Sequence, residues 1–100
     1  MQLTSLSAKA ISPGTMVGIR ASGKDILVAN VDGKYYAIGN ACTHRGCTVS
    51  DGTLAGAHAR CPCHGSAFDV RTGGVVHGPA TKPEPSYKVE VSGDQISITV

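Results

Sequence analysis

Two short segments constrain this chain more than anything else in it: Cys42-Thr43-His44 and, after a gap of sixteen residues, Cys61-Pro62-Cys63-His64. Each offers one thiol and one imidazole, so the two loops together supply a mixed set of donors. Zinc takes Cys and His ligands too, and on donor type alone it stays open. The spacing argues against it, because paired ligands of zinc fingers stand about two to four residues apart. A thioredoxin-like centre needs Cys-x-x-Cys, which neither segment contains. A purely structural disulfide framework would account for the four Cys but not for His44 and His64.

The sequences Cys42-Thr43-His44-Arg45-Gly46-Cys47 and Cys61-Pro62-Cys63-His64-Gly65-Ser66 resemble the two cluster-binding boxes of Rieske proteins. The flanking segments read like a Rieske domain as well, so the resemblance covers most of the chain. It implies one [2Fe–2S] cluster, with Cys42 and Cys61 on one iron and His44 and His64 on the other. Charge gives that arrangement its consequence. An all-cysteine oxidised cluster carries about two net negative charges, and two neutral imidazoles in place of two thiolates bring it to about zero. An added electron then meets less repulsion in a low-dielectric pocket. Rieske potentials accordingly lie at roughly −150 to +300 mV.

The resemblance also assigns the remaining residues of the boxes. Cys47 and Cys63 match the pair that forms a disulfide in Rieske proteins of quinol-oxidising cytochrome complexes. Such a bridge closes a loop of about 17 residues, worth roughly 3 kcal/mol in the chain-entropy model. Rieske ferredoxins serving aromatic-ring dioxygenases usually lack the pair, so its presence points to the high-potential branch. Ser66 matches a Ser whose hydroxyl donates to a bridging sulfide and favours the reduced cluster. Phe68 stands where high-potential members carry a Tyr donor, which predicts a tempered potential. Gly46 and Gly65 sit beside ligands, where close backbone approach and positive φ favour glycine. Gly78-Pro79-Ala80 resembles the family's proline loop, which covers the cluster from a third side. Arg45 is either a cation favouring the reduced state and an acidic partner, or a solvated loop residue. A ligand imidazole keeps one nitrogen free to titrate, so the potential is expected to fall with pH once His44 or His64 deprotonates in the oxidised state. His58 and His77 fit no ligand position and read as surface or hydrogen-bonded residues. Tyr35, Tyr36 and Tyr87 lie in strand-like runs and read as packing residues.

Length and charge bound the function. One hundred residues suggest one domain, 1–100, with the cluster-binding subdomain at about 40–82. A formal charge of +2 without a basic run makes nucleic acid an unlikely partner. No stretch approaches the length of a membrane span, and residues 1–11 lack the features of a signal peptide. The start at Met1 is expected to be that of a soluble protein rather than an excised domain. A cytoplasmic monomer is the expectation, although disulfides are rare in reducing cytosol.

Turn signals recur about every ten residues between short β-like runs, which predicts an all-β domain. Strands are expected at 16–20, 26–31, 35–38, 57–60, 68–70, 75–76, 87–91 and 95–100, with a turn at most over 3–10. Asp32-Gly33, residues 71–74 and residues 92–94 are expected to form hairpins. This suits the Rieske architecture: an antiparallel β-sandwich with an inserted cluster-binding subdomain. The function implied is a one-electron carrier, a soluble ferredoxin with no substrate chemistry of its own. Its partners would be redox proteins that the sequence does not name. The alternatives are an electron-transfer component of a quinol-oxidising or oxygenase complex, and the small non-catalytic subunit of a nitrite-reductase-like enzyme.

Overall fold

Ile26, Leu27, Val28 and Ala29 form an unbroken apolar run, and a short run of that kind suits a strand covered on both faces. All four are fully buried. Alternate residues face opposite sides of a strand, so this one serves two cores. Ile26 and Val28 pack with Ile11, Ala37, Ile96 and Ile98. Leu27 and Ala29 pack with Ile38, Val49, Ala59, Cys61, Phe68 and Val70.

The computed structural model describes residues 3–21, 23–40, 48–62, 65–78 and 82–99. Ten strands are seen among these: β1 (Leu3–Ser7), β2 (Met16–Ala21), β3 (Lys24–Val31), β4 (Lys34–Gly39), β5 (Thr53–Ala55), β6 (His58–Arg60), β7 (Ala67–Asp69), β8 (Val75–His77), β9 (Ser86–Ser92) and β10 (Gln95–Thr99). All pairings are antiparallel. One sheet has the order β1-β10-β9-β4-β3-β2 and the other β5-β6-β7-β8. In the larger sheet β9 joins two halves, pairing with β4 through Ser86 and Tyr87 and with β10 through Lys88–Ser92. Ile26, Val28 and Ala37 of one half meet Ile96 and Ile98 of the other, which is the face-to-face packing of a sandwich. The smaller sheet falls entirely between β4 and β9 in the chain and packs on the other face of β3. It is an insertion, as the resemblance implies.

The strands agree with the sequence reading to within a residue or two, with two exceptions: β5 lies where no strand is expected, and the other exception is at the start of the chain. Residues 3–10 hold strand β1 followed by a 3-10 turn, Ala8–Ala10, and not a turn alone. Leu3-Thr4-Ser5-Leu6-Ser7 has no period-two alternation to reveal a strand. Its conformation comes from backbone pairing with the edge of β10, from Leu3 opposite Thr99 to Ser7 opposite Gln95. The Asp32-Gly33 hairpin is present, with φ of 51° and 89°. Two positive φ angles are what a type I′ turn requires. Among the described residues, no helix is long and apolar enough to cross a membrane.

Candidate functional site

The first box leaves β4 through Asn40 and rejoins described structure at Thr48. Asn40 is buried, and a buried amide needs partners for both its donor and its acceptor. It finds them across the mouth of the loop. The Ser50 N–H donates to Asn40 Oδ1 at 2.8 Å, and Asn40 Nδ2 donates to Ser50 Oγ at 2.9 Å. The Val49 N–H donates to the Asn40 carbonyl oxygen at 2.8 Å. Entry and exit of the loop are thus tied by three hydrogen bonds. Gly18 on β2 makes room for them, since a Cβ there would come within 2.6 Å of both Asn40 Nδ2 and Ser50 Oγ.

The second box is closed in the same manner by backbone alone. β6 delivers Cys61, whose N–H donates to the Ser66 carbonyl oxygen at 2.7 Å, and the Gly65 N–H returns to the Cys61 carbonyl oxygen at 3.2 Å. Gly65 has φ of +77°, in the region where other residues are strained. Gly52 presses against this loop from outside: a Cβ on it would overlap the Arg60 carbonyl oxygen and approach Pro62 Cδ to 3.1 Å. Cys61 is 2% exposed, and Ser66 and Phe68 are fully buried. Val49 at the end of the first loop and Cys61 at the start of the second share one apolar core. The end of the first loop and the start of the second therefore share one low-dielectric base.

A third segment returns between the sheets. The Glu84 N–H donates to the Gly73 carbonyl oxygen at 2.8 Å, and the Gly39 N–H donates to the Pro85 carbonyl oxygen at 2.8 Å. The β7–β8 hairpin is organised by Asp69. Its carboxylate accepts from the Arg71 backbone N–H at 2.9 Å and, in a fork, from Arg71 Nε at 3.0 Å and Nη2 at 2.8 Å. That side-chain hydrogen bonding holds the Asp69 carboxyl below its ordinary range. Burial pushes the Tyr87 hydroxyl above its own.

Of the residues singled out in the sequence, Cys61, Gly65, Ser66 and Phe68 are brought together here. Cys42, His44, Arg45, Gly46, Cys47, Cys63, His64, Pro79 and Ala80 lie outside the described residues. Among the described residues no group of three or more His, Cys, Asp or Glu side chains converges. His58 and His77 are exposed at strand positions of the smaller sheet. Sequence reasoning missed Asn40, Gly18 and Gly52. The one available signal for Asn40 is an amide directly beside a donor box, at the end of an apolar strand. Nothing in the sequence marks either glycine, because their roles are contacts with residues distant in the chain.

An iron–sulfur cluster fits what is built here. Cys61 is a buried Cys at the head of a closed loop, with a cavity of about 340 Å3 beside it lined by Cys61, Pro62, Gly65, Arg60 and residues 51–53. The same loop carries Cys63 and His64, and the adjacent one carries Cys42 and His44. A mixed thiolate and imidazole donor set is that of a Rieske centre.

Comparison with known proteins agrees. The model of the Rieske [2Fe-2S] domain family matches residues 2–91. The ferredoxin component of the naphthalene 1,2-dioxygenase/salicylate 5-hydroxylase systems of a Ralstonia species is 38% identical over 88 residues, which is 88% of this chain and 85% of that protein. The ferredoxin of carbazole 1,9a-dioxygenase from Nocardioides aromaticivorans superposes with a TM-score of 0.90 at 28% identity, covering 93% of this chain and 91% of that one. A chain from the complex of reduced oxygenase and oxidized ferredoxin in carbazole 1,9a-dioxygenase superposes with a TM-score of 0.88 at 34% identity, covering 94% and 91%. Family match, donor chemistry and fold converge: the chain belongs to the Rieske [2Fe–2S] family and is an electron-transfer protein carrying one [2Fe–2S] cluster.

Proposed function

We propose that this chain is the ferredoxin component of an aromatic-ring oxygenase system, passing single electrons from a reductase to a terminal oxygenase. The observation that carries the reading is the 38% identity, over nearly the whole chain, with the ferredoxin component of a naphthalene dioxygenase system. Support comes from the likeness to the chain found in a complex of oxygenase and ferredoxin. A cytoplasmic monomer suits this role.

In this reading Cys42 and Cys61 hold one iron, and His44 and His64 hold the other. The cluster supplies a one-electron couple. The chain fixes the spacing of its two ligand loops through Asn40 and through the Cys61–Ser66 closure, and it buries the thiolate side against Phe68, Val49 and Ala59. Cys47 and Cys63 are bridged, and Ser66 donates to the cluster. The experiment is reconstitution with the reductase and terminal oxygenase of a naphthalene dioxygenase system. Reduction of this protein by the first and product formation by the second are expected. Failure of either transfer from protein showing the rhombic EPR signal of a Rieske cluster would overturn the assignment.

One observation favours a second reading. The Cys47 and Cys63 pair stands where the bridged, high-potential Rieske proteins have theirs. A redox titration followed by EPR separates the two: a strongly positive potential favours a quinol or cytochrome chain, and one well below zero favours supply to a dioxygenase.

A further inference from the structure

The charge of this protein is unevenly divided. Residues 40–82 hold four cations, Arg45, Arg60, Arg71 and Lys82, against two carboxylates, Asp51 and Asp69. The rest of the chain holds five of each sign, so the whole formal excess of +2 belongs to the segment that carries both ligand boxes. Ion pairing sharpens the division. Arg71 is committed to Asp69 at 2.8 Å, and Lys9, Arg20 and Lys88 each have a carboxylate within 4 Å. Arg60 is exposed and makes no ion pair among the described residues.

The position of Arg60 gives this charge a use. It is the last residue of β6 and the chain neighbour of Cys61. Its side chain reaches Gly65, with Nη1 lying 3.6 Å from where a Cβ on that glycine would be. With no side chain at position 65, the guanidinium can lie against that residue. A surface cation beside a redox centre raises the local concentration of anions and steers the approach of an acidic face, an effect that salt removes.

We propose that Arg60 forms the electrostatic part of the electron-exit surface and docks an acidic face of the redox partner beside Cys61 and Gly65. This rests on the electron-carrier reading above and adds the sign of the partner's contact surface. Because the side chain is a fork of fixed donors, it suits carboxylates in particular.

The test uses cluster-loaded protein reduced with dithionite, then mixed in a stopped-flow instrument with anionic hexacyanoferrate(III) or cationic tris(phenanthroline)cobalt(III). One electron passes from the reduced cluster to the oxidant, and no other bond changes. At low ionic strength, Arg60→Glu is expected to slow the anionic oxidant about threefold to tenfold and to speed the cationic one by a similar factor. Both effects should vanish at about 1 M salt, where the Debye length is roughly 3 Å. Arg60→Gln should give the same signs at about half the size on a logarithmic scale, in case the Glu variant loads poorly. Lys34→Glu changes net charge equally at the opposite end of β4, about 20 Å along the strand from Asn40, and should do much less. Binding of a fluorescein-labelled hexaglutamate peptide to the loaded protein should weaken in Arg60→Glu and hold in Lys34→Glu. Equal effects of the Arg60 and Lys34 variants would overturn the proposal. So would a change of the same direction with both oxidants, which reports driving force and not docking. Failure with a naphthalene-type reductase and oxygenase would count against the partner assignment alone, since the reagent asymmetry does not depend on it.

Discussion

Asn40 and Ser50 hold the mouth of the first ligand loop shut, amide oxygen to backbone N–H at 2.8 Å and amide nitrogen to hydroxyl at 2.9 Å. A half-buried pair of this kind is worth most when removed from one side only, because the partner left behind has lost part of its water as well. Asn40→Ala should therefore cost about 1–3 kcal/mol and loosen the first box. The check is iron content and EPR intensity after exchange against a chelator, with urea unfolding alongside. Gly18→Ala should reproduce the defect from beneath, since its Cβ would meet both members of the pair. Unchanged cluster retention in both variants would remove the clamp from the account of the site.

Gly52 offers the matching experiment on the second box. Gly52→Ala drives a methyl group into the Arg60 carbonyl oxygen, one residue before Cys61. The loop must move, and cluster loading should fall sharply. Gly56→Ala is the comparison, because φ of +60° strains it while the space around it is open. It should cost about 1 kcal/mol and leave iron content as it was. Similar iron content in the two variants would show that the contact is tolerated.

Two substitutions should move the potential in opposite directions. Ser66 and Phe68 are both fully buried, and Phe68 shares an apolar core with Cys61. Ser66→Ala removes a hydroxyl donor and is expected to lower the potential by roughly 40 mV, the one-electron equivalent of about 1 kcal/mol. Phe68→Tyr supplies a donor in the core that holds Cys61 and should raise it by a similar amount. A redox titration in which Phe68→Tyr shows no rise would remove this position from those that set the potential.

The proposed bridge predicts a thiol count. Unfolded, cluster-free protein kept from reductant should show two titratable thiols, those of Cys42 and Cys61, and four after reduction. Cys47→Ser should destabilise the protein by roughly 3 kcal/mol on the chain-entropy model. Four thiols without reductant would mean that the pair is reduced.

Acid should act through Asp69. Its carboxyl is held below the ordinary range chiefly by the Arg71 side chain, so the folded state binds that proton less readily than the unfolded chain does. Stability from this pair is then fully present above the unfolded value, about 3.9, and is lost as pH falls through the folded one. Asp69→Asn should lower the melting temperature at pH 7, and the difference from the parent protein should close as pH falls below about 4. Arg71 is half exposed, so screening keeps the effect small, and high salt should shrink it further. A difference that persisted undiminished in acid would show that Asp69 acts only through its neutral hydrogen bonds in the turn.

The sequence by itself determined the chemistry and most of the strands. The two short boxes, each with a Cys and a His, carry the resemblance to the Rieske family that the family match bears out, because such boxes are local in the chain. The hairpins followed for the same reason, Asp32-Gly33 above all, since a two-residue turn is specified by the residues within it. Tertiary structure alone decided what holds the boxes in place. The Asn40 clamp, the space left by Gly18, the pressure of Gly52 on Arg60 and the strand at 3–7 all depend on partners 8 to 96 residues away in the chain. No periodicity in the sequence encodes such contacts, because they arise only when the inserted sheet is laid against β3 and the edge of β10 is left open for pairing.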